Sequence, residues 1–133
     1  MGWHDVAGPL VAPTLVLSPA VRGWLAPAVA KGGHSWEEIE AKLAAGHACV
    51  WEGSAGAVFT QVDEDGVCDV VLGGGSGAKA WVADMERAIR AHPAHRDVCM
   101  YRIWGRKGWR RLFPHWRFAG VEGGLTVLEL DAA

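Results

Sequence analysis

Two groups of residues in this chain could do chemistry. The first is a glycine-rich run, Gly73-Gly74-Gly75-Ser76-Gly77-Ala78, set between an apolar stretch (Val67-Cys68-Asp69-Val70-Val71-Leu72) and a helical pattern that reaches about His92. In a strand-to-helix turn of this kind, unpaired backbone N–H groups converge where the helix dipole is positive, so the run is expected to cradle an anion. The second group is basic and aromatic. Arg102, Arg106, Lys107, Arg110, Arg111 and Arg117 are interleaved with Trp104, Trp109 and Trp116, with no acid between them. Such a segment is either a solvated helix face, a phosphate contact or a protein interface. Arginine and tryptophan dominate binding hot spots, so Arg106, Trp109, Arg110, Arg111 and Trp116 are the expected protein-contact residues, ahead of nucleic acid.

Other motifs are incomplete. A P-loop needs Gly-Lys-Ser/Thr, and Gly77-Ala78-Lys79-Ala80 lacks it. The spacing Gly73-x-Gly75-x-x-Ala78 matches a dinucleotide fingerprint in letters, but hairpins precede it and Asp97 falls before a strand instead of at its end. His92 and His95 share a loop without a third ligand, so no metal is assigned.

These residues need elements to position them. Leu15-Val16-Leu17 reads as a short strand, and Ser18-Pro19 as N-cap and first residue of a helix carrying Val21, Leu25 and Val29 to Gly32-Gly33. Ser35-Trp36-Glu37-Glu38 is a capping box opening a helix with Ile39 and Leu43 on one stripe. Three strands follow as an antiparallel meander: His47–Trp51, Ala57–Val62 and Val67–Leu72. After the glycines, Val82, Met85 and Ile89 mark one face of a helix. Val98–Trp104 then returns parallel to Val67–Leu72, a short helix runs from about Arg106 to Phe113, and Leu125–Leu130 is the last strand. The class is α+β, a mixed and mostly antiparallel sheet with helices on both faces.

Bulk properties bound the function. A chain of 133 residues with 50% hydrophobic and 21% charged residues is one globular domain, 1–133. A net charge of -2 gives no global attraction to nucleic acid or anionic membrane. Cys49, Cys68 and Cys99 each sit in an apolar segment and read as buried, reduced thiols. The apolar stretch Val6–Val21 is broken by Pro9, Pro13 and Pro19 and lacks a basic leader, so neither a signal peptide nor a membrane span is expected. Synthesis in the cytoplasm follows.

Taken in order, hairpins, glycine run, helix and tail resemble the acyl-CoA-binding half of the GNAT acyltransferase fold, over roughly residues 15–130. The GNAT pyrophosphate loop, Gln/Arg-x-x-Gly-x-Gly/Ala, puts Gly75 and Gly77 on its two glycines and Leu72 where Gln or Arg is usual. Leu112-Phe113-Pro114-His115-Trp116-Arg117-Phe118 is similar to the family's Leu-Tyr-x-x-x-Gly-Phe. Phe113 replaces the tyrosine that often protonates the departing thiolate, and Arg117 replaces the glycine. Gly105-Arg106-Lys107-Gly108-Trp109, with Val71-Leu72-Gly73-Gly74, is similar to small GNAT-like proteins in the structural gene clusters of tailed phages, prophages and gene-transfer agents.

The resemblance implies a splayed parallel strand pair with CoA or acetyl-CoA held by Val71, Leu72, Gly73, Gly74, Gly75, Ser76, Gly77 and Ala78. Backbone N–H groups of Val71, Leu72 and Gly73 would meet the thioester, and Asp69 is the best-placed side-chain base, its other reading being a solvent-facing strand residue. The implied activity is CoA-dependent N-acyl transfer. The alternative is an inert virion or assembly component, present in the virion, that contacts phage structural proteins or a second copy of itself.

Overall fold

The structure, a computed structural model, describes residues 12–132; residues 6–11 of the proline-punctuated stretch lie outside the described residues. Seven strands form one sheet in the order β1-β2-β3-β4-β5-β7-β6. They are β1 (Ala12–Thr14), β2 (Ala48–Glu52), β3 (Gly56–Val62), β4 (Val67–Gly75), β5 (Met100–Gly105), β6 (Arg117–Glu122) and β7 (Leu125–Asp131). β4 and β5 run parallel and all other neighbours are antiparallel. The helices are α1 (Pro19–Lys31), α2 (Trp36–Ala44), α3 (Ala78–Ala91) and α4 (Trp109–Leu112), with a 3-10 turn at Pro93–His95. The α+β class and the mostly antiparallel sheet with one parallel pair are thus as the residue pattern predicts.

Local chemistry explains the helix starts. Ser18 Oγ accepts the Val21 N–H at 3.1 Å, with Pro19 fixing the first helical φ. Ser35 Oγ accepts the Glu38 N–H at 3.1 Å, and the Glu38 carboxylate takes the Ser35 hydroxyl instead of the backbone donor that a capping box would give it. Val21, Leu25 and Val29 of α1 and Ile39 and Leu43 of α2 bury against Val50, Phe59 and Leu72 on one face of the sheet. On the other face Trp81, Val82, Met85 and Ile89 of α3 pack on Val58, Val70 and Ile103. α1, α2 and α3 each bury one stripe, as the 3.6-residue period dictates, while the single turn of α4 buries none.

Four expectations are corrected. The first strand is Ala12–Thr14, and Leu15 and Val16 are 60% and 70% exposed, because Thr14 Oγ1 accepts the Val16 N–H and turns the chain out of the sheet. β6 is a strand that the pattern does not announce, since both its faces are largely exposed. It pairs with β7 through the two-residue turn Gly123-Gly124, both at positive φ (57° and 81°), which L side chains rarely adopt. The helix expected over Arg106–Phe113 is confined to Trp109–Leu112. Cys99 is exposed, its thiol donating to the Asp65 carbonyl at 3.5 Å; Cys68 is buried and its thiol is pushed up to about 12, chiefly by burial. Among the described residues no helix is long and apolar enough to cross a membrane.

Candidate functional site

β4 is the strand that builds the site. Its register with β3 breaks between Phe59 and Thr60: Thr60 faces Val70, Phe59 faces Leu72, and Val71 has no partner on β3. One extra residue reverses the side-chain alternation. Val70 therefore joins the core under α3, while Leu72 joins the core under α1 and α2. On its other side β4 pairs with β5 over Val67↔Met100 to Val70↔Ile103 and no further. Beyond Val70 the parallel strands diverge, and Val71 to Gly75 have no strand beside them on that side.

The gap holds a cleft of about 310 Å³, walled by Val71–Gly75 of β4 and Ser76 after it, by Trp104 and Gly105 of β5 and Arg106 after it, by Trp109, and by Trp24, Lys31 and His34 from α1 and the turn after it. Six of the eight residues expected to hold a cofactor line it; Gly77 and Ala78 do not. The glycine run is not a loop. Gly73, Gly74 and Gly75 continue β4 opposite Val58, Ala57 and Gly56. A Cβ at Gly73 would stand 2.5 Å from Trp109 Cη2, one at Gly74 would overlap the Trp24 carbonyl oxygen, and one at Gly75 would overlap Ala55. These three glycines exist for close approach of backbone and indole, a reason that composition alone does not reveal.

The anion cradle contracts to the turn itself. Gly77 is left-handed (φ 62°), nothing lies within 4 Å of a Cβ built there, and it caps α3 without a side-chain hydrogen bond. Ser76 N–H is engaged with the Ala55 carbonyl at 2.8 Å. The N–H groups of Gly77, Ala78 and Lys79 have no partner among the described residues, so the positive end of α3 is open to an anion. Among the described residues, the charged and titratable side chains in the cleft wall are Lys31, His34 and Arg106, with no carboxylate.

Asp69 lies outside this wall. Its Oδ1 accepts the Trp104 indole N–H at 3.1 Å and lies 3.7 Å from an Arg102 nitrogen. Burial pushes the Asp69 carboxyl up, against the pull of Trp104 and Arg102. Asp69, Arg102, Glu129 and Arg117 occupy matched positions on four adjacent strands, with Arg102 to Glu129 at 3.0 Å and Arg117 to Glu129 at 3.1 Å. Asp69 is thus the end of a cross-sheet charge ladder. The same ladder corrects the reading of an unopposed basic cluster, because Arg102 and Arg117 have acidic partners that are distant in sequence. Arg106, Lys107, Arg110 and Arg111 stay exposed, with Arg110 4.1 Å over the Phe118 ring.

Trp116 is buried and donates its indole N–H to Glu86 at 2.9 Å, so it offers no surface to a partner. Trp109 is half-buried and stacks on the buried Phe113, with ring centroids 5.9 Å apart and planes 9° apart. Phe113 points into the core under α3, away from the cleft wall. His34 and Lys31 were not singled out by the sequence; they reach the cleft because α1 runs over the end of β4. Among the described residues no group of three or more His, Cys, Asp or Glu is arranged to hold a metal ion.

No protein-family model matches the sequence, and no curated protein matches it. Solved structures do match the fold. An acetyltransferase from Bacillus subtilis in complex with CoA superposes with a TM-score of 0.65 at 12% identity, over 92% of this chain and 98% of that one. A GNAT family acetyltransferase from Elizabethkingia anophelis with acetyl-CoA bound gives 0.65 at 11% identity, over 95% and 99%. The IAA acetyltransferase from Bacillus cereus gives 0.58 at 8% identity, over 91% and 99%. The chain has the fold of the GNAT acetyltransferases.

Proposed function

We propose that this protein binds coenzyme A or an acyl-CoA in the cleft between β4 and β5. The observation that carries the reading is the divergence of the two parallel strands after Val70 and Ile103, which opens a cleft reaching Ser76, the residue before the uncapped N-terminus of α3, with no carboxylate among the described residues of its wall. A long ligand with an anionic head and a slender tail suits that shape and charge. The N–H groups of Gly77, Ala78 and Lys79 would take the phosphates, with Arg106 and Lys31 adding positive charge. When bound, an acyl-CoA would supply an activated acyl group for transfer to an amine. Val71 stands outside the β3 ladder at the bulge, where its backbone N–H would orient a carbonyl. Of the cleft-lining side chains, the His34 imidazole is the one suited to remove a proton from an amine.

A second reading, a GNAT-fold component without catalysis, is favoured by Phe113, which brings no acid to the cleft. In that reading Arg106, Arg110 and Arg111 contact a structural protein of a tailed phage or prophage, or a second copy of this chain, and the protein moves from the cytoplasm into a particle. Calorimetry with CoA tests the first reading. The wild-type chain should bind, and Gly77→Glu, which sets a carboxylate at the start of α3, should weaken binding at least tenfold. Equal affinity in both would move the phosphates elsewhere, and no binding would leave the second reading. Charge reversal of Arg110 and Arg111 would then abolish co-assembly with particles.

A further inference from the structure

The indole of Trp109 lies across the gap between the diverging strands. Its five-membered ring rests on Gly105 of β5, where a Cβ would stand 3.0 Å from Cγ. Its six-membered ring rests on Gly73 of β4, where a Cβ would stand 2.5 Å from Cη2. Glycine at both positions is what lets one side chain span the slot. Phe113 stacks behind the indole, and Trp116 meets Phe113 edge-on with ring centroids 5.4 Å apart. The position of the indole is therefore fixed from three sides.

Behind this wall, under α3, is a second cavity of about 30 Å³, lined by Val58, Val70, Val82, Met85, Ile89 and Ile103 among others. That volume has room for about one water molecule and is too small for an alkyl chain as it stands. Among the described residues, Trp109 alone is shared by the walls of the two cavities. Removing its ring would join a cleft suited to an anionic, slender ligand to a largely apolar chamber, which Tyr101, Phe113, Trp116, Glu86 and Arg90 also line. No other side chain stands between them in both walls.

Resting on the acyl-CoA reading above, we infer that Trp109 is the stop that sets the length of acyl chain the cleft accepts. The indole closes the path of the chain toward Val70, Val82 and Met85, restricting the wild-type protein to short acyl groups. A smaller residue would convert the same site to medium chains, because each added methylene would then leave water for an apolar chamber.

The test is calorimetric titration of CoA, acetyl-CoA, butanoyl-CoA and hexanoyl-CoA into the wild type, Trp109→Ala and Trp109→Phe. In the wild type, affinity should be flat or fall beyond acetyl. In Trp109→Ala it should rise about fourfold per methylene, the equivalent of roughly 0.8 kcal/mol at 1.4 kcal/mol per tenfold. Trp109→Phe should change in the same direction by less, and it carries the test if the alanine variant does not fold. Unmodified CoA gives each protein its own reference, so the chain-length slope is read relative to CoA in that same protein. Binding of CoA with the same chain-length profile in wild type and variants would overturn the stop and leave the cofactor reading intact. Failure of every protein to bind any of the four would overturn both.

Discussion

Substituting Gly74 separates a packing role from a ligand role for the glycine run. Gly74 sits in β4 beneath α1, and a Cβ there would overlap the Trp24 carbonyl oxygen and stand 2.9 Å from its carbon. Those atoms belong to helix backbone, so no rotamer change relieves the clash; α1 must lift from β4. Inserting a methyl into a packed site costs about 1–3 kcal/mol when side chains can adjust. With backbone as the obstacle, Gly74→Ala should cost about 3 kcal/mol. Gly77→Ala is the internal control, since nothing lies within 4 Å of its Cβ and only the left-handed φ of 62° opposes it. That strain is worth about 1–2 kcal/mol. Urea denaturation monitored by far-UV circular dichroism would measure both. For a domain of this size 1 kcal/mol moves the thermal midpoint by roughly 3–5 °C, so Gly74→Ala should melt about 10 °C below wild type. Equal loss in the two variants, or none at Gly74, would refute the close approach of α1 to β4.

Two further predictions concern titrating groups. His95 is buried and donates from Nδ1 to the Ile89 carbonyl at 2.7 Å; burial depresses its pKa, partly opposed by that bond, with His92 lowering it further. The neutral form is thus the folded form, and its stabilisation is present above the ordinary value near 6.5 and lost as pH falls through it. The unfolding free energy from urea titrations should drop between pH 7 and 5 by up to about 1.4 kcal/mol per unit, and His95→Phe should flatten that slope. Arg102→Met should cost about 2 kcal/mol at pH 7, intermediate between surface and buried pairs, because it leaves both Asp69 and Glu129 short of a partner. Burial raises the Glu129 carboxyl, but Arg117 and Arg102 outweigh it and hold it below 4.5, so this stabilisation is lost as pH falls below that value and the variant should converge on wild type in acid.

Much of the fold is legible in the sequence where the signal is local. The period of Val82, Met85 and Ile89, the Ser18 and Ser35 caps and the turn-bounded apolar runs of the meander each rest on neighbours within a turn or a hairpin. The parallel return of β5 follows from the helix between it and β4. What fails is what depends on a partner far along the chain. A glycine run has loop composition, yet Gly73–Gly75 are strand residues shaped by Trp109, Trp24 and Ala55. The extra residue at Val71 carries no mark in its own type; only the register with Phe59 and Thr60 exposes it. Arg102 and Arg117 look unopposed until register brings Glu129 between them. Trp116 looks like a contact residue until Glu86 on α3 is found holding its indole N–H. β6 did leave a sign, the Gly123-Gly124 pair, which demands a two-residue hairpin turn.

The central claim is that an anionic cofactor enters between the ends of β4 and β5. Titration of CoA into the ¹⁵N-labelled chain, followed by amide chemical shifts, tests it most directly. The account predicts saturable shifts concentrated on Val71–Lys79 and Trp104–Trp109, including the indole N–H of Trp109, with α2 and the β1–β2 edge unmoved. A spectrum unchanged at saturating CoA, or shifts centred on α2 and β1, would contradict it.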